Sequence, residues 1–212
     1  SADEATSFAV LDAYVAAGER GLSRARLEET VSVAVDAGPL RRRLAELYRE
    51  DGDFTQLAAL LASEAARTAE PRARLALLLE AARFHLDQRG EPGDAVPLLE
   101  QAVELDPEDP ELRLSLSRAL ELGGRFDEAS QILCQQIELF GARRPKNRAL
   151  VHFQLARVSL AAGRRAEAIA ELGAANKIDP AHPGILQALA RIAFEEGPYE
   201  RAQKTYSALL LL

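Results

Sequence analysis

The chain has 212 residues, 48% of them hydrophobic and 5% aromatic, with no Trp or Met, a single Cys and a formal net charge of −7. A lone cysteine excludes an intrachain disulfide framework and a Cys-rich zinc site, and no apolar run approaches the roughly 18 residues that span a bilayer. Residues 1–140 hold 15 Lys and Arg against 27 Asp and Glu, and residues 141–212 hold 11 against 6, an acidic body with a mildly basic end rather than a basic nucleic-acid tail.

Ala, Leu, Arg and Glu dominate, so helix is expected throughout. Residues 5–37 read as a degenerate helical pair with two extra residues at a turn near Gly18. RLAELYREDGDFTQLAALL (43–61) reads as a helix that stops at Gly52 and restarts at Phe54. The next pair turns at Gly90, with one extra residue before its second helix, and ends at Pro107. Pro107 cannot continue a helix, Asp109 caps the following one and Pro110 suits its first turn.

The clearest unit is 110–143, where Leu112, Leu116, Ser117 and Leu120 share one helix face. Gly123 and Gly124 stop that helix, because glycine costs about 1 kcal/mol against alanine in a helix interior. The second helix opens at Arg125 and Phe126, with Asp127 and Glu128 where the helix dipole favours carboxylates. Its expected buried stripe is Ala129, Ile132, Leu133, Gln136 and Ile137. SLAAGRRAEAIAEL (159–172) and AFEEGPYERAQKTY (193–206) repeat the cadence, with Gly163 and Gly197 where Gly124 stands. Ala129, Ala168 and Ala202 each follow such a glycine by five residues, and the glycines lie 39 and 34 residues apart. A period near 34 in a helical chain indicates a repeat.

These units resemble the tetratricopeptide repeat, a helix–turn–helix of about 34 residues. The family pattern asks for a large apolar residue and then a small one in the first helix, Gly at the turn followed by an aromatic, and Ala, apolar, Ala and Pro through the second helix and its end. The second repeat supplies Leu44, Ala45, Tyr48, Gly52, Phe54 and Leu61; the third supplies Ala82, Gly90, Ala95, Leu99, Ala102 and Pro107. The fourth supplies Leu116, Ser117, Gly124, Phe126, Ala129 and Leu133, and the fifth Leu155, Ala156, Gly163, Ala168, Leu172, Ala175 and Pro180. The sixth supplies Leu189, Ala190, Gly197, Tyr199, Ala202 and Tyr206. The resemblance implies an all-α, right-handed α-solenoid of about six hairpins. Its divisions fall at 1–37 (degenerate hairpin), 38–70 (divergent repeat), 71–109, 110–148 (with a basic insertion), 149–182 and 183–212. Small residues at the contact points let paired helices approach to about 8–10 Å. Leu57 stands where the second repeat should have a small residue, so that pair is expected to sit further apart.

Nothing in the sequence argues for an enzyme or a cofactor. No phosphate-binding GxxxxGK[ST] or metalloprotease HExxH motif is present. His85, His152 and His182 fall in different repeats without ligand spacing, so no metal site is expected. Cys134 has no sequence-adjacent His and reads as a structural thiol. Asp106 and Asp179 precede prolines and read as helix punctuation.

In the tetratricopeptide family a second stripe of the first helices lines a concave groove. At one register of that stripe this chain carries Glu46, Arg83, Arg118, Arg157 and Arg191 in successive repeats. Leu79, Leu86, Leu114, Phe153, Leu160, Gln187 and Phe194 flank it. Arginine forks beside apolar side chains suit a segment carrying carboxylates, so the candidate partner-binding residues are Arg83, Arg118, Phe153, Arg157, Gln187, Arg191 and Phe194. Structural pairing of the same arginines with neighbouring carboxylates is the competing reading. The Lys and Asn of the family's clamp for chaperone C-termini are replaced here by Leu or Phe and Arg.

The expected partner is a protein or peptide segment, acidic and apolar, with no nucleic acid and no membrane insertion. Architectural packing through the solenoid ends and a regulatory scaffold within a larger enzyme are the alternatives. The basic run GARRPKNRA (141–149) reads as a solvated loop. Absence of Met and the ending SALLLL (207–212) read as a fragment or processed product, with association of copies through that end or further helices as the expectation. With no basic-then-apolar leader, the expected compartment is the cytoplasm.

Overall fold

A computed structural model describes residues 19–33, 38–141 and 145–196, with the two positions 203 and 207. All regular structure among them is helical: α1 (Arg20–Val33), α2 (Gly38–Asp51), α3 (Phe54–Arg67), α4 (Pro71–Arg83), α5 (Pro92–Leu105), α6 (Pro110–Leu122), α7 (Phe126–Phe140), α8 (Pro145–Ala161), α9 (Arg165–Ile178) and α10 (Pro183–Glu196). The chain divides into two compact units, Ser1–Gly90 and Glu91–Leu212. In the first, α1 packs on α2, α2 on α3 and α3 on α4. In the second, each helix from α5 to α10 packs on the next, and α6 also packs on α8.

The helix boundaries follow from local chemistry. Pro71, Pro92 and Pro110 open α4, α5 and α6 at positions where a missing N–H costs nothing. The Asp109 carboxylate accepts the Glu111 N–H at 2.9 Å, and Asp53 accepts that of Gln56 at 3.3 Å, satisfying otherwise orphaned donors. At the turns, Gly52, Gly90, Gly124 and Gly163 have φ of 70°, 65°, 73° and 76°, a left-handed conformation that a Cβ disfavours. The expected turns at Gly18 and Gly197 lie outside the described residues.

The extra residue of the 71–109 unit falls before its second helix, as its sequence position suggests. It is absorbed at the end of the first helix, where α4 continues into a π turn, Phe84–Arg89, closed by the Gly90 N–H on the His85 carbonyl. A π turn takes up one additional residue without breaking the helix. Phe84 is thereby buried and stacks on Phe54, ring centroids 5.4 Å apart.

Small residues occupy the closest contacts. Ala82, Ser117, Ala156 and Ala190 on first helices, and Ala95, Ala129 and Ala168 on second helices, are all buried. The Ser117 hydroxyl is satisfied by the Leu114 carbonyl at 2.8 Å. Leu57 is fully buried in α3, so the divergent pair encloses the larger side chain. On α7 the expected stripe narrows: Ala129, Leu133 and Gln136 are buried, whereas Ile132 and Ile137 are half-buried. Gln136 is tolerated inside because its amide oxygen accepts from Arg113 at 2.9 Å.

Candidate functional site

In the second unit, α8 and α10 enclose a groove of about 640 Å³, within the range typical of ligand sites. Phe153 and Arg157 reach it from successive turns of α8, and Gln187 and Arg191 from successive turns of α10. Four of the seven candidate residues therefore meet in one place. The other three do not line it. Arg118 is exposed on α6, and Phe194 is 58% exposed on α10. Arg83 belongs to the first unit, where its guanidinium stands 5.8 Å over the Phe84 ring.

One end of the groove is aromatic. A Cβ on Gly184 would approach Cε1 and Cζ of Phe153 to 3.2 Å, so glycine here lets the ring lie against the α10 backbone. Phe153 also contacts His182, ring centroids 5.6 Å apart and tilted by 52°. The His182 Nδ1 in turn accepts the Ile185 N–H at 3.3 Å. The ring is thus held from two sides.

The remainder of the groove combines apolar side chains, Leu160 and Ile192 among them, with charged ones, three of which were not candidates from the sequence. Glu121, from α6, accepts the Gln154 amide at 2.7 Å and pairs with Arg157 at 3.5 Å. Arg165, the first residue of α9, donates to Glu195 at 2.9 Å, and Arg191 Nε donates to the other oxygen of Glu195 at 3.1 Å. Hydrogen bonds from Arg165 and then Arg191 hold the Glu195 carboxyl below the ordinary carboxylate value. Three guanidinium groups thus face two carboxylates, leaving the groove cationic. Glu121 was within reach of sequence reasoning, since it falls on the same helix stripe as the arginines. Arg165 stands where the repeat pattern asks for an aromatic, a departure that carried the only signal.

The first unit has a smaller groove of about 340 Å³, in which Arg41, Arg42 and Arg49 face Glu46, Glu64 and Glu80. Arg41 pairs with Glu64 at 3.0 Å and Arg49 with Glu80 at 2.6 Å. Its charges balance, in contrast to the groove of the second unit.

The other residues singled out for chemistry lie outside the groove. His85 is buried in the π turn, and the His152 Nδ1 lies 2.7 Å from Glu171. Cys134 is exposed on α7, but partial burial and the charges of Glu171 and Glu138 push its thiol above the ordinary value, the reverse of what a nucleophile needs. Of the basic run at 141–149, Arg148 donates to the Gly141 carbonyl, while Arg143 and Arg144 lie outside the described residues. So do the C-terminal leucines Leu209 to Leu212 on which association of copies was expected. No helix among the described residues is long and apolar enough to cross a membrane.

The profile of the tetratricopeptide repeat family matches residues 86–138 and 146–212, more than half of the chain. No curated protein matches the sequence. Among solved structures, a kinesin-light-chain-like protein of Podosopora anserina with nearly identical TPR-like repeats is 24% identical, with 82% of this chain and 93% of that one covered at a TM-score of 0.56. MamA from residue 41 onward, from Desulfovibrio magneticus RS-1, is 15% identical, with 84% and 95% covered at a TM-score of 0.59. YrrB, described as a TPR protein with an unusual peptide-binding site, is 19% identical, with 84% and 87% covered at a TM-score of 0.56. These likenesses establish the fold class, an all-α solenoid of helix–turn–helix repeats.

Proposed function

The chain belongs to the tetratricopeptide repeat family, whose fold is a protein-interaction scaffold, and on that premise we propose that it holds an extended or short helical partner segment, acidic and apolar in composition, between α8 and α10. The role is binding rather than catalysis. The observation that carries this reading is the convergence of Phe153, Arg157, Gln187 and Arg191 on one cationic groove. Arginine forks recognise carboxylates in two-pronged geometry, and the ring of Phe153 offers an apolar seat beside them.

The magnitudes make this a modest binder. Each exposed Arg–carboxylate contact contributes only ~0–1 kcal/mol, so even with the apolar contact Kd is no tighter than about 1 μM. Successive first helices lie on the order of 10 Å apart. Arg157 and Arg191 then stand about 10 Å apart, which an extended segment covers in about three residues at roughly 3.3 Å each. Binding weakens as salt rises, because screening acts over about 8–10 Å.

Selection of peptides from a random twelve-residue library tests the reading. Peptides recovered on the wild-type protein carry acidic and apolar residues, and they lose affinity for Arg157→Glu/Arg191→Glu and for Arg118→Ala/Arg157→Ala. Recovery of no peptide sequences, or of sequences that bind all variants equally and ignore salt, refutes a groove function and leaves the arginines structural.

A further inference from the structure

We propose that the partner enters by ion-pair exchange: a carboxylate of the segment takes Arg165 and Arg191 from Glu195, while an apolar side chain of the same segment lies on Phe153. This rests on the groove reading above and adds the chemistry and direction of the ligand.

The two groove carboxylates differ in how firmly they are held. The Glu121 side chain is 13% exposed, and its second oxygen takes the Gln154 amide at 2.7 Å in addition to the Arg157 contact. The Glu195 side chain is 41% exposed and, among the described residues, bonds guanidinium groups that are themselves solvated, Arg165 at 42% and Arg191 at 80%. Exposed pairs of this kind contribute little and are readily replaced by an equivalent ligand. Glu121 therefore stays as part of the wall, and Glu195 is the exchangeable partner. It already occupies the place that an incoming carboxylate would take.

The groove also has a direction. Phe153 and Gly184 form its aromatic end, and Arg165 with Glu195 its charged end. On α8 the wall runs from Phe153 to Ala161, about 12 Å at roughly 1.5 Å per residue. An extended chain covers that in about four residues. The fitting motif is an apolar residue followed or preceded, about four residues away, by a carboxylate, from a side chain or a chain end.

Glu195 then acts as a resident competitor that sets the affinity for acidic segments. A neutral segment offers nothing to Arg165 and Arg191 that Glu195 does not already supply, so it gains only apolar contacts, with Phe153, Leu160 and Ile192. An acidic segment replaces Glu195 and releases it to water. The resident carboxylate therefore lowers the affinity for acidic segments and leaves that for neutral ones untouched.

Three probes on the full chain test this, with binding followed by NMR shifts of the Phe153 ring and the arginine Nε–H groups. They are acetyl-Leu-Ala-Ala-Ala-Asp-amide, its Asn counterpart, and acetyl-Leu-Ala-Ala-Ala-Ala with a free C-terminal carboxylate. The wild type binds the Asp probe more tightly than the Asn probe. Glu195→Gln removes the competing charge and tightens the Asp probe about threefold to tenfold while leaving the Asn probe unchanged. The free-acid probe, compared with the Asp probe, shows whether a side chain or a chain end is preferred. Glu121→Gln, by loosening the wall, gives no such selective gain. An unchanged or weakened Asp probe on folded Glu195→Gln, or no binding of any probe to either protein, overturns the exchange. The library selection with the arginine variants decides separately whether the groove binds at all.

Discussion

Enlarging Ala168 is the most direct test of how the second unit is packed. Ala168, on α9, has no accessible surface and belongs to a core with Ala149, Ala156, Leu172, Ala175, Ile185 and Ile192, every member 6% exposed or less. Three of those neighbours are alanines at zero exposure, so this is where helices approach most closely. Leucine brings three further carbons and no void to hold them. In open space its burial would stabilise by about 1.5–3 kcal/mol; here the helices must separate or the side chain must leave its rotamer. Overpacking of this kind costs about 1–3 kcal/mol, which lowers Tm by roughly 2–12 °C for a chain of this size. The matched control is Ala166→Leu, two residues away on the same helix and exposed, where a change within about 0.5 kcal/mol is expected. Arg164 would be a poorer control than its sequence position suggests, since it pairs with Asp127 at 2.7 Å. Thermal unfolding followed by far-UV circular dichroism reads both variants. Equal shifts for the two would refute the helix register described here.

Two glycines ten residues apart should respond in opposite directions. Gly163 has φ of 76°, so Gly163→Ala destabilises by about 1–2 kcal/mol, whereas Gly173 lies inside α9 with nothing within 4 Å of an added Cβ, and Gly173→Ala stabilises by about 0.4–1 kcal/mol; the same sign for both in urea unfolding would contradict the turn geometry. Glu195 and Glu128 are held below the ordinary carboxylate value of 4.5 by hydrogen bonds from Arg165 with Arg191, and from Arg125, respectively. With the folded value depressed, these pairs stabilise fully above that pH and lose their contribution as pH falls through the lowered value; side-chain carboxyl ¹³C titrations at or above 4.5 would show the pairs are not formed. The Cys134 thiol, raised by partial burial and by Glu171 and Glu138, should react with iodoacetamide at pH 8 more slowly than free glutathione, and a faster reaction would reverse the sign assigned to its surroundings.

Sequence by itself determined what depends on neighbouring residues. Helices, their proline openings and their stops are set within one turn, so the left-handed glycines at 52, 90, 124 and 163 stood out in the sequence as turns. The buried alanines at 95, 129, 156 and 168 were equally legible, because the repeat period places each small residue at a closest contact whatever the surrounding side chains. That the extra residue of the third unit precedes its second helix was legible, but the form it takes was not. A loop and a π turn both accommodate one residue, and burial of Phe84 against Phe54 favours the turn. The arginines were visible as a ladder, but their partners were not. Arg157 meets Glu121 across 36 residues and Arg165 meets Glu195 across 30. Such pairs depend on how one hairpin stacks on the next, and no helical periodicity encodes that. Tertiary structure therefore decided which ladder positions face a common groove and which carboxylates already occupy them, because ion pairing follows distances in space rather than spacing along the chain.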